Sequence, residues 1–233
     1  MEAPQHIQVF DRLYITSATS VSSNSAGDDF KYFSIHGVLS YQAYYDDFGP
    51  MSLDNVYLFC SIVEDQLARN PDKLLALKSY PDRRSISNAV FLVGSYAIMM
   101  HEMASDEVER RLAPLLHRLV PFRDISPGKQ NFDLHVKDCW DGLWKSKRLG
   151  WVDFRNQLFD PDEYSHYASP MNGFVHEMVP GKFIAMRCPK EMEEDWNDVR
   201  DGAGHFLYRE FSPQHYVDTL QNFGVQVSYS NCD

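Results

Sequence analysis

The chain has 233 residues, a length that fits one large domain or one and a half smaller domains. Hydrophobic residues make up 44% of it, which is enough for a folded core and argues against disorder. The formal net charge of −11 argues against a general nucleic-acid-binding surface, because such surfaces are rich in Lys and Arg. The acidic excess favours basic partners, although many soluble proteins are mildly acidic for solubility alone.

The cysteines and the N-terminal sequence indicate the type of cellular compartment in which the protein is found. Cys60, Cys139, Cys188 and Cys232 lie far apart and show no spacing typical of a zinc site or of a secreted disulfide framework. The chain does not begin with a basic segment followed by an apolar one, and its longest apolar run, 89–100, is too short to cross a bilayer. We therefore expect a reducing compartment, no secretion and no membrane partner.

The first third of the chain predicts two strands and a helix. The β-branched, alternating string RLYITSA (12–18) predicts a strand, and KYFSI (31–35) predicts another. Over 51–71, apolar residues recur at the spacing of one helical face, which includes Cys60, and the helix is expected to end at Asn70 before a proline.

The next segment has the arrangement of a phosphate site. Residues 73–80 predict a buried strand, which is followed by a polar loop carrying Arg83 and Arg84. Ser87 and Asn88 mark the start of a helix that is apolar on nearly every side. A loop that leads into a helix N-terminus often holds phosphate, because free backbone N–H groups and the helix dipole point at the anion.

Elements in the second half follow in chain order. The first three are a helix over 105–116 capped by Ser105, a helix over 131–150 and a connecting helix around PDEYSHYA (161–168). A strand within 174–189 and an acidic loop over 190–204 follow. The last elements are a helix that begins at Ser212 and a strand after it. A single strand after a helix leaves a β-α-β unit unfinished, with an uncovered apolar face. We therefore expect the natural chain to continue downstream.

An ordered set of short strings carries a family resemblance. The strings are DRLY (11–14), YFSI (32–35), DFGP and the following VY (47–57), SNAVFLVGSYAI (87–98), PFRD (121–124), DC with a following Gly (138–142), FDPDEYSHY (159–167) and VPGKF (179–183). No single string is specific. Their order and spacing resemble the N-terminal half of the cell-division-cycle-fourteen family of dual-specificity protein phosphatases.

The resemblance implies an α/β fold. It implies a phosphatase-like domain with a central, mainly parallel sheet flanked by helices over 1–155, then a linker helix over 156–172. An incomplete second phosphatase-like domain, the start of the catalytic one, would occupy 173–233. In this arrangement the first domain is a degenerate copy that helps to select the substrate.

The resemblance also implies partners and places. The family acts on phosphoproteins with Ser-Pro sites made by cyclin-dependent kinases and a basic residue downstream, and on phosphotyrosine, in mitotic exit and cell division. It is found in the nucleus, nucleolus and cytoplasm, and at the centrosome or spindle. Neither a cofactor nor a nucleic-acid partner is expected.

The residues themselves argue against catalysis by this chain. Such phosphatases need a cysteine thiolate and an arginine six residues later that grips the phosphoryl oxygens. The residues six positions after the cysteines are Gln66, Lys145 and Glu194, and Cys232 lies too close to residue 233 to have one. The chain should therefore not hydrolyse phosphate by itself.

Four positions form the candidate degenerate phosphate loop. Taking the helix as anchor, the nucleophile position falls on Tyr80 and the arginine position on Ile86. A phenol with a pKa of about 10 cannot replace a thiolate at neutral pH. Arg83 and Arg84 either hold an anion or belong to a solvated loop.

Three acids on the connecting helix are candidates for a substrate groove. The resemblance implies that Asp160, Asp162 and Glu163 attract the basic residue of a substrate, although Ser165 and Ala168 stand where the family often has further carboxylates. Acids at a helix N-terminus also complement the helix dipole, so a capping role is the alternative.

Other chemistries have no support in the sequence. None of the nine histidines forms the His-Glu-x-x-His pattern of a metalloprotease, and there is no Gly-x-Ser-x-Gly string. We therefore expect no metal site. Two functional classes remain: the substrate-selecting part of a phosphatase, and a stand-alone module that binds basic phosphoproteins or another protein partner.

Overall fold

The structure is a computed structural model that describes residues 6–16, 29–41, 43, 47–78, 82–124, 128–156 and 159–226. The chain divides into two compact units, Met1–Leu158 and Phe159–Asp233. No helix in the described part is long and apolar enough to cross a membrane.

The first unit is a mixed α/β structure. Its elements are β1 (His6–Phe10), β2 (Leu13–Thr16), β3 (Phe30–Phe33), α1 (Leu53–Arg69), β4 (Leu74–Lys78), α2 (Arg83–His101), α3 (Ser105–Leu116) and α4 (Val136–Arg148). The strand order is β1-β2-β4-β3, in which β1 is antiparallel to β2 and the other two pairs are parallel. The prediction of a mainly parallel sheet with helices is confirmed for this unit.

The sheet and all four helices contribute to the core of this unit. Alternate strand residues are buried on the same face, among them Val9, Leu13 and Leu75. Every residue of α2 from Ile86 to Met99 is buried, as the apolar sequence of this helix predicted. Helix α2 contacts α1, α3, α4 and β1, so it is the central helix of the unit.

The structure corrects the predicted cap of α3. Its N-cap is Ala104, and Ser105 is the first helical residue rather than the cap. Ser105 is 5% exposed and donates a hydrogen bond of 2.5 Å to Asp141 Oδ1 on α4. The hydroxyl therefore joins two helices, because a buried polar group needs a partner.

The second unit contains two small antiparallel sheets. Its described elements are α5 (Pro161–Ala168), a 3-10 turn (Pro170–Asn172), β5 (His176–Val179), β6 (Phe183–Ala185), β7 (Trp196–Arg200), β8 (Phe206–Phe211) and α6 (Pro213–Asn222). Strand β5 pairs with β6, and β7 pairs with β8. A small core forms around Val175, Phe211 and Tyr216.

The two helices predicted in this unit are confirmed, since α5 covers PDEYSHYA and Ser212 caps α6. The prediction of a loop throughout 190–204 is wrong, because β7 lies within it and forms a hairpin with β8. The strand predicted after α6 falls largely on 227–233, outside the described residues.

Candidate functional site

The main candidate site is a pocket of about 320 Å³ in the first unit. It lies where β3 and β4 end and α2 begins, the edge at which open α/β sheets usually bind ligands. Its lining residues share an apolar floor and a polar rim: Ile35, His36, Leu39, Ser40, Tyr41, Ala43, Asp47, Phe48, Met51, Lys78, Arg84, Ser85, Asn88 and Ala89.

A tyrosine and a carboxylate are hydrogen-bonded at the rim. Tyr41 donates its hydroxyl to Asp47 Oδ2 at 2.5 Å. Burial raises the pKa of Tyr41 to about 12, and the hydrogen bond and negative charge of Asp47 add to the effect. Gly49 is needed beside them, because a Cβ at this position would lie 2.7 Å from the Tyr41 ring. Tyr41 is therefore protonated at neutral pH.

Asn88 fixes one wall of the pocket. Its Oδ1 accepts from the backbone N–H of Met51 at 3.1 Å, and its Nδ2 donates to the carbonyl of Gly49 at 3.1 Å. Asn88 is 4% exposed, and its bond to Met51 is buried whereas its bond to Gly49 is partly buried. Asn88 thus holds the segment 49–51 against α2.

Ser87 makes the corresponding attachment on the other side of α2. Its hydroxyl accepts from Val120 N at 2.9 Å and contacts the carbonyls of Arg83 and Val120 at 2.9 and 3.2 Å. The Ser-Asn pair in SNAVFLVGSYAI therefore ties two loops to the helix. It does not mark the helix start.

Helix α2 begins four residues earlier than predicted. Asp82 is the N-cap, and its carboxylate accepts from Ser85 N at 2.8 Å. Burial opposes ionisation, but the hydrogen bonds from Ser85 together with those of the Asp82 and Arg84 backbone outweigh it, so the pKa of Asp82 is lowered. The cap adds a favourable negative charge at the helix N-terminus, which explains why the helix starts here.

The two arginines consequently lie in the first helical turn and not in a loop. Arg83 donates to the carbonyls of Arg118 and Leu119, both at 3.1 Å, so it joins α2 to the segment after α3. Arg84 lies over the ring of Phe48, with its guanidinium carbon 5.5 Å from the centroid, and lines the pocket. The structure brings only Arg84 of this pair to the pocket.

A wider groove adjoins the pocket. It has a volume of about 530 Å³, and Phe48 and Arg84 line both spaces. The other residues of the groove are Asp82, Arg83, Val120, Pro121, Phe122, Arg123, Gln130 and Asp133.

The remaining loop positions do not supply chemistry. Ile86 is 1% exposed and belongs to the core, and Tyr80 lies outside the described residues. Cys60 and Cys139 carry free thiols, but burial raises the pKa of both, that of Cys139 to about 12. Neither thiol is ionised at neutral pH, and neither lines the pocket.

The three predicted groove acids lie on α5 in the second unit. Asp160 is the N-cap, and its Oδ1 accepts from Asp162 N at 2.9 Å and from Glu163 N at 3.1 Å. Asp162 and Glu163 are exposed in the first turn. The capping role of Asp160 is therefore visible in the structure, and the groove role of the three acids stays a prediction.

Within the described residues, no group of three His, Cys, Asp or Glu side chains is placed to hold a metal ion. The pocket residues Lys78, Asp47 and Asn88 were not singled out from the sequence as site residues. The position of Lys78 at the end of a predicted strand, next to the start of α2, was the available signal.

The mixed α/β fold of the first unit, with its mainly parallel sheet, fits a phosphatase-like domain. The chain matches the family described as "Dual specificity protein phosphatase, N-terminal half" over residues 6–146. It belongs to this family, as the resemblance in the sequence indicated.

Curated relatives agree with this assignment. Dual specificity protein phosphatase CDC14A of Mus musculus is 36% identical over 183 residues, 77% of this chain and 30% of the relative. Dual specificity protein phosphatase CDC14C of Homo sapiens is 29% identical over 222 residues, 94% and 47% of the two chains. Tyrosine-protein phosphatase cdc-14 of Caenorhabditis elegans is 26% identical over 218 residues, 87% and 29%. The chain therefore spans less than half the length of each.

Proposed function

We propose that this chain is the substrate-selecting, non-catalytic part of a dual-specificity protein phosphatase. In this proposal, residues 1–155 form a degenerate phosphatase-like domain, 156–172 a linker, and 173–233 the start of a catalytic domain. The observation that carries it is chemical: Cys60, Cys139 and Cys188 are followed six residues later by Gln66, Lys145 and Glu194, none of which is an arginine. The pocket at the sheet edge also has no described thiol in its lining.

The substrates we propose are phosphoproteins carrying phospho-Ser-Pro sites with a basic residue downstream, and phosphotyrosine proteins. The exposed carboxylates of Asp162 and Glu163 support attraction of the basic residue, because Asp160 already satisfies the first N–H groups of α5. The names of the relatives support phosphatase chemistry in the complete protein. The proposed setting is mitotic exit and cell division, in the nucleus, nucleolus and cytoplasm and at the centrosome or spindle.

A phosphate-release assay with p-nitrophenyl phosphate tests the absence of catalysis. We expect no turnover above background by the full chain, and no change in variants with each cysteine replaced by serine. Turnover that disappears with one of these substitutions would show that a cysteine nucleophile acts in this chain.

A second candidate function is a stand-alone module that binds basic phosphoproteins or another protein partner. The pocket in the first unit supports it, because the residues described in its lining all belong to this unit. The transcript distinguishes the two candidates. A reading frame that continues past Asp233 into a His-Cys-x5-Arg segment supports the phosphatase, and a natural stop codon at that point supports the module.

A further inference from the structure

We propose that the pocket bordered by Lys78 and Arg84 binds the phosphotyrosine side chain of a partner protein without hydrolysing it. The inference deepens the proposed substrate-selecting role of the first unit and rests on its lack of catalysis. It assigns a ligand to a pocket of the first unit, whereas the acids of α5 belong to the second unit.

The pocket has the size and floor for an aromatic ring. Its volume of about 320 Å³ lies at the lower end of the range of roughly 300–1,000 Å³ found for small-molecule sites. Apolar side chains line much of it: Ile35, Leu39, Phe48, Met51 and Ala89. A phosphotyrosine ring would cover this apolar surface, whereas the short side chain of phosphoserine would leave it exposed to water.

The pocket lining also contains cationic side chains that can bind a phosphate group. Lys78 and Arg84 line the pocket, and Arg84 lies over the Phe48 ring. The carboxylate among the described lining residues is that of Asp47, which accepts the hydroxyl of Tyr41. Among the described lining residues, two side chains are cationic and one is a carboxylate, in a chain of net charge −11. Arginine and lysine are the side chains that commonly hold phosphate.

Side chains, and not the helix N-terminus, would hold the anion. The carboxylate of Asp82 already accepts from Ser85 N and occupies the positive end of α2. No described lining residue is a cysteine, and Tyr41 has a pKa of about 12. The described lining therefore lacks the thiolate that this class of phosphatase uses as its nucleophile, and in this proposal the ligand binds intact.

The test uses the full chain and phenyl phosphate as the probe, with binding measured by ligand-observed ³¹P NMR and calorimetry. The variants are Arg84→Gln and Lys78→Met, and the matched control is Arg69→Gln. Arg69 is a surface arginine on α1 that pairs with Asp65 and lies outside the pocket lining. Circular dichroism and thermal unfolding establish that each variant is folded.

We expect wild type and Arg69→Gln to bind phenyl phosphate at millimolar concentrations without releasing inorganic phosphate. Each rim variant should weaken binding at least about tenfold, because a hydrogen bond to a charged group is lost. A phosphotyrosine peptide should bind at least as well as phenyl phosphate, and the same peptide with phosphoserine or with unmodified tyrosine should bind at least about tenfold more weakly.

Each other outcome overturns a defined part. No binding by wild type, or equal binding by Arg84→Gln, overturns the pocket assignment. Equal binding of the phosphoserine peptide overturns the proposal that the ligand is aromatic. Binding of phenyl phosphate but not of the phosphotyrosine peptide shows that the site takes only free small molecules, and it overturns the proposal of a protein partner. Release of phosphate with intact binding overturns the proposed non-catalytic function and leaves the pocket in place.

Discussion

The indole ring of Trp140 fills the space beside Gly94, where an added Cβ would lie 2.4 Å from the nearest ring atom. The indole Nε1 donates to the carbonyl of Phe91 at 3.0 Å, and Trp140 is 0% exposed. The Trp140 ring on α4 can therefore pack directly against α2 because residue 94 has no side chain.

Gly94→Ala should destabilise the chain by about 1–3 kcal/mol, because the ring or a helix must move to admit the methyl group. Urea unfolding of the purified chain measures the change. The control is Gly142→Ala on the exposed side of α4, where nothing lies within 4 Å of the added Cβ. That variant should gain roughly 0.5–1 kcal/mol from helix propensity. Equal effects of the two substitutions would contradict the packing described for Trp140.

Asn88→Ala should loosen the pocket wall. It removes the partners of Met51 N and Gly49 O in a buried place, at a cost of about 1–3 kcal/mol for each group left unsatisfied. Hydrogen exchange should show faster exchange of the Met51 amide than in wild type. Asn55→Ala, which removes only an exposed bond to Ser52, should leave that amide unchanged. Unchanged exchange in Asn88→Ala would rule out the clamp.

A partly buried chain of hydrogen bonds should make stability depend on pH. Tyr96 donates to Glu64 Oε1 at 2.7 Å, so its oxygen accepts from Nε2–H of His101 at 3.0 Å. Burial, aided by the charge of Arg155, lowers the pKa of His101 below its usual 6.5. The folded state therefore prefers neutral His101, and its contribution is complete above about pH 6.5 and declines as the pH falls below it.

The His101→Gln variant keeps a side-chain N–H donor but cannot titrate. Its free energy of unfolding should fall less steeply than that of wild type between pH 7.5 and 5.5, as measured by urea titration at several pH values. His205→Gln, at an exposed site beside Asp201, serves as the control. Parallel curves for wild type and His101→Gln would show that His101 does not carry this dependence.

Asp82→Ala should remove the cap of α2 and cost about 1 kcal/mol. Asp82→Ser should restore most of the loss, because a serine hydroxyl can also accept from Ser85 N. The pKa of Asp82 is lowered in the folded state, so its ionic contribution is present above the unfolded pKa of about 3.9 and disappears in more acidic solution. Thermal unfolding at pH 7 compares the three proteins, and equal stabilities would contradict the cap.

The periodicity of apolar residues was sufficient to predict an element where the apolar pattern was clear. Helix α1 has a clear apolar face and ends at Arg69, directly before Asn70-Pro71, as predicted. Strand β1 was missed because its hairpin with β2 turns on Asp11 at φ 41, a residue without a glycine or proline signal. Strand β7 was missed because its sequence, WNDVR, is mostly polar and does not follow the strand pattern, and its partner β8 was missed with it.

The site was harder to predict than the fold. Ser87 and Asn88 have the composition of a helix start, but both are buried and serve tertiary hydrogen bonds, so Asp82 caps the helix instead. The pocket depends on Lys78 and Asp47, which lie 31 residues apart in the sequence and meet only after β4 and the 47–51 segment are in place. The periodicity of apolar residues does not predict which residues that are distant in the sequence come together in the fold.

The central claim is that no cysteine of this chain acts as a phosphate nucleophile. The most direct measurement is a crystal structure of the chain soaked with vanadate, which forms a bond to the thiolate of an active phosphatase cysteine. We predict that every cysteine sulfur remains without bound vanadium. Vanadium bonded to the sulfur of any of the four cysteines would contradict the account.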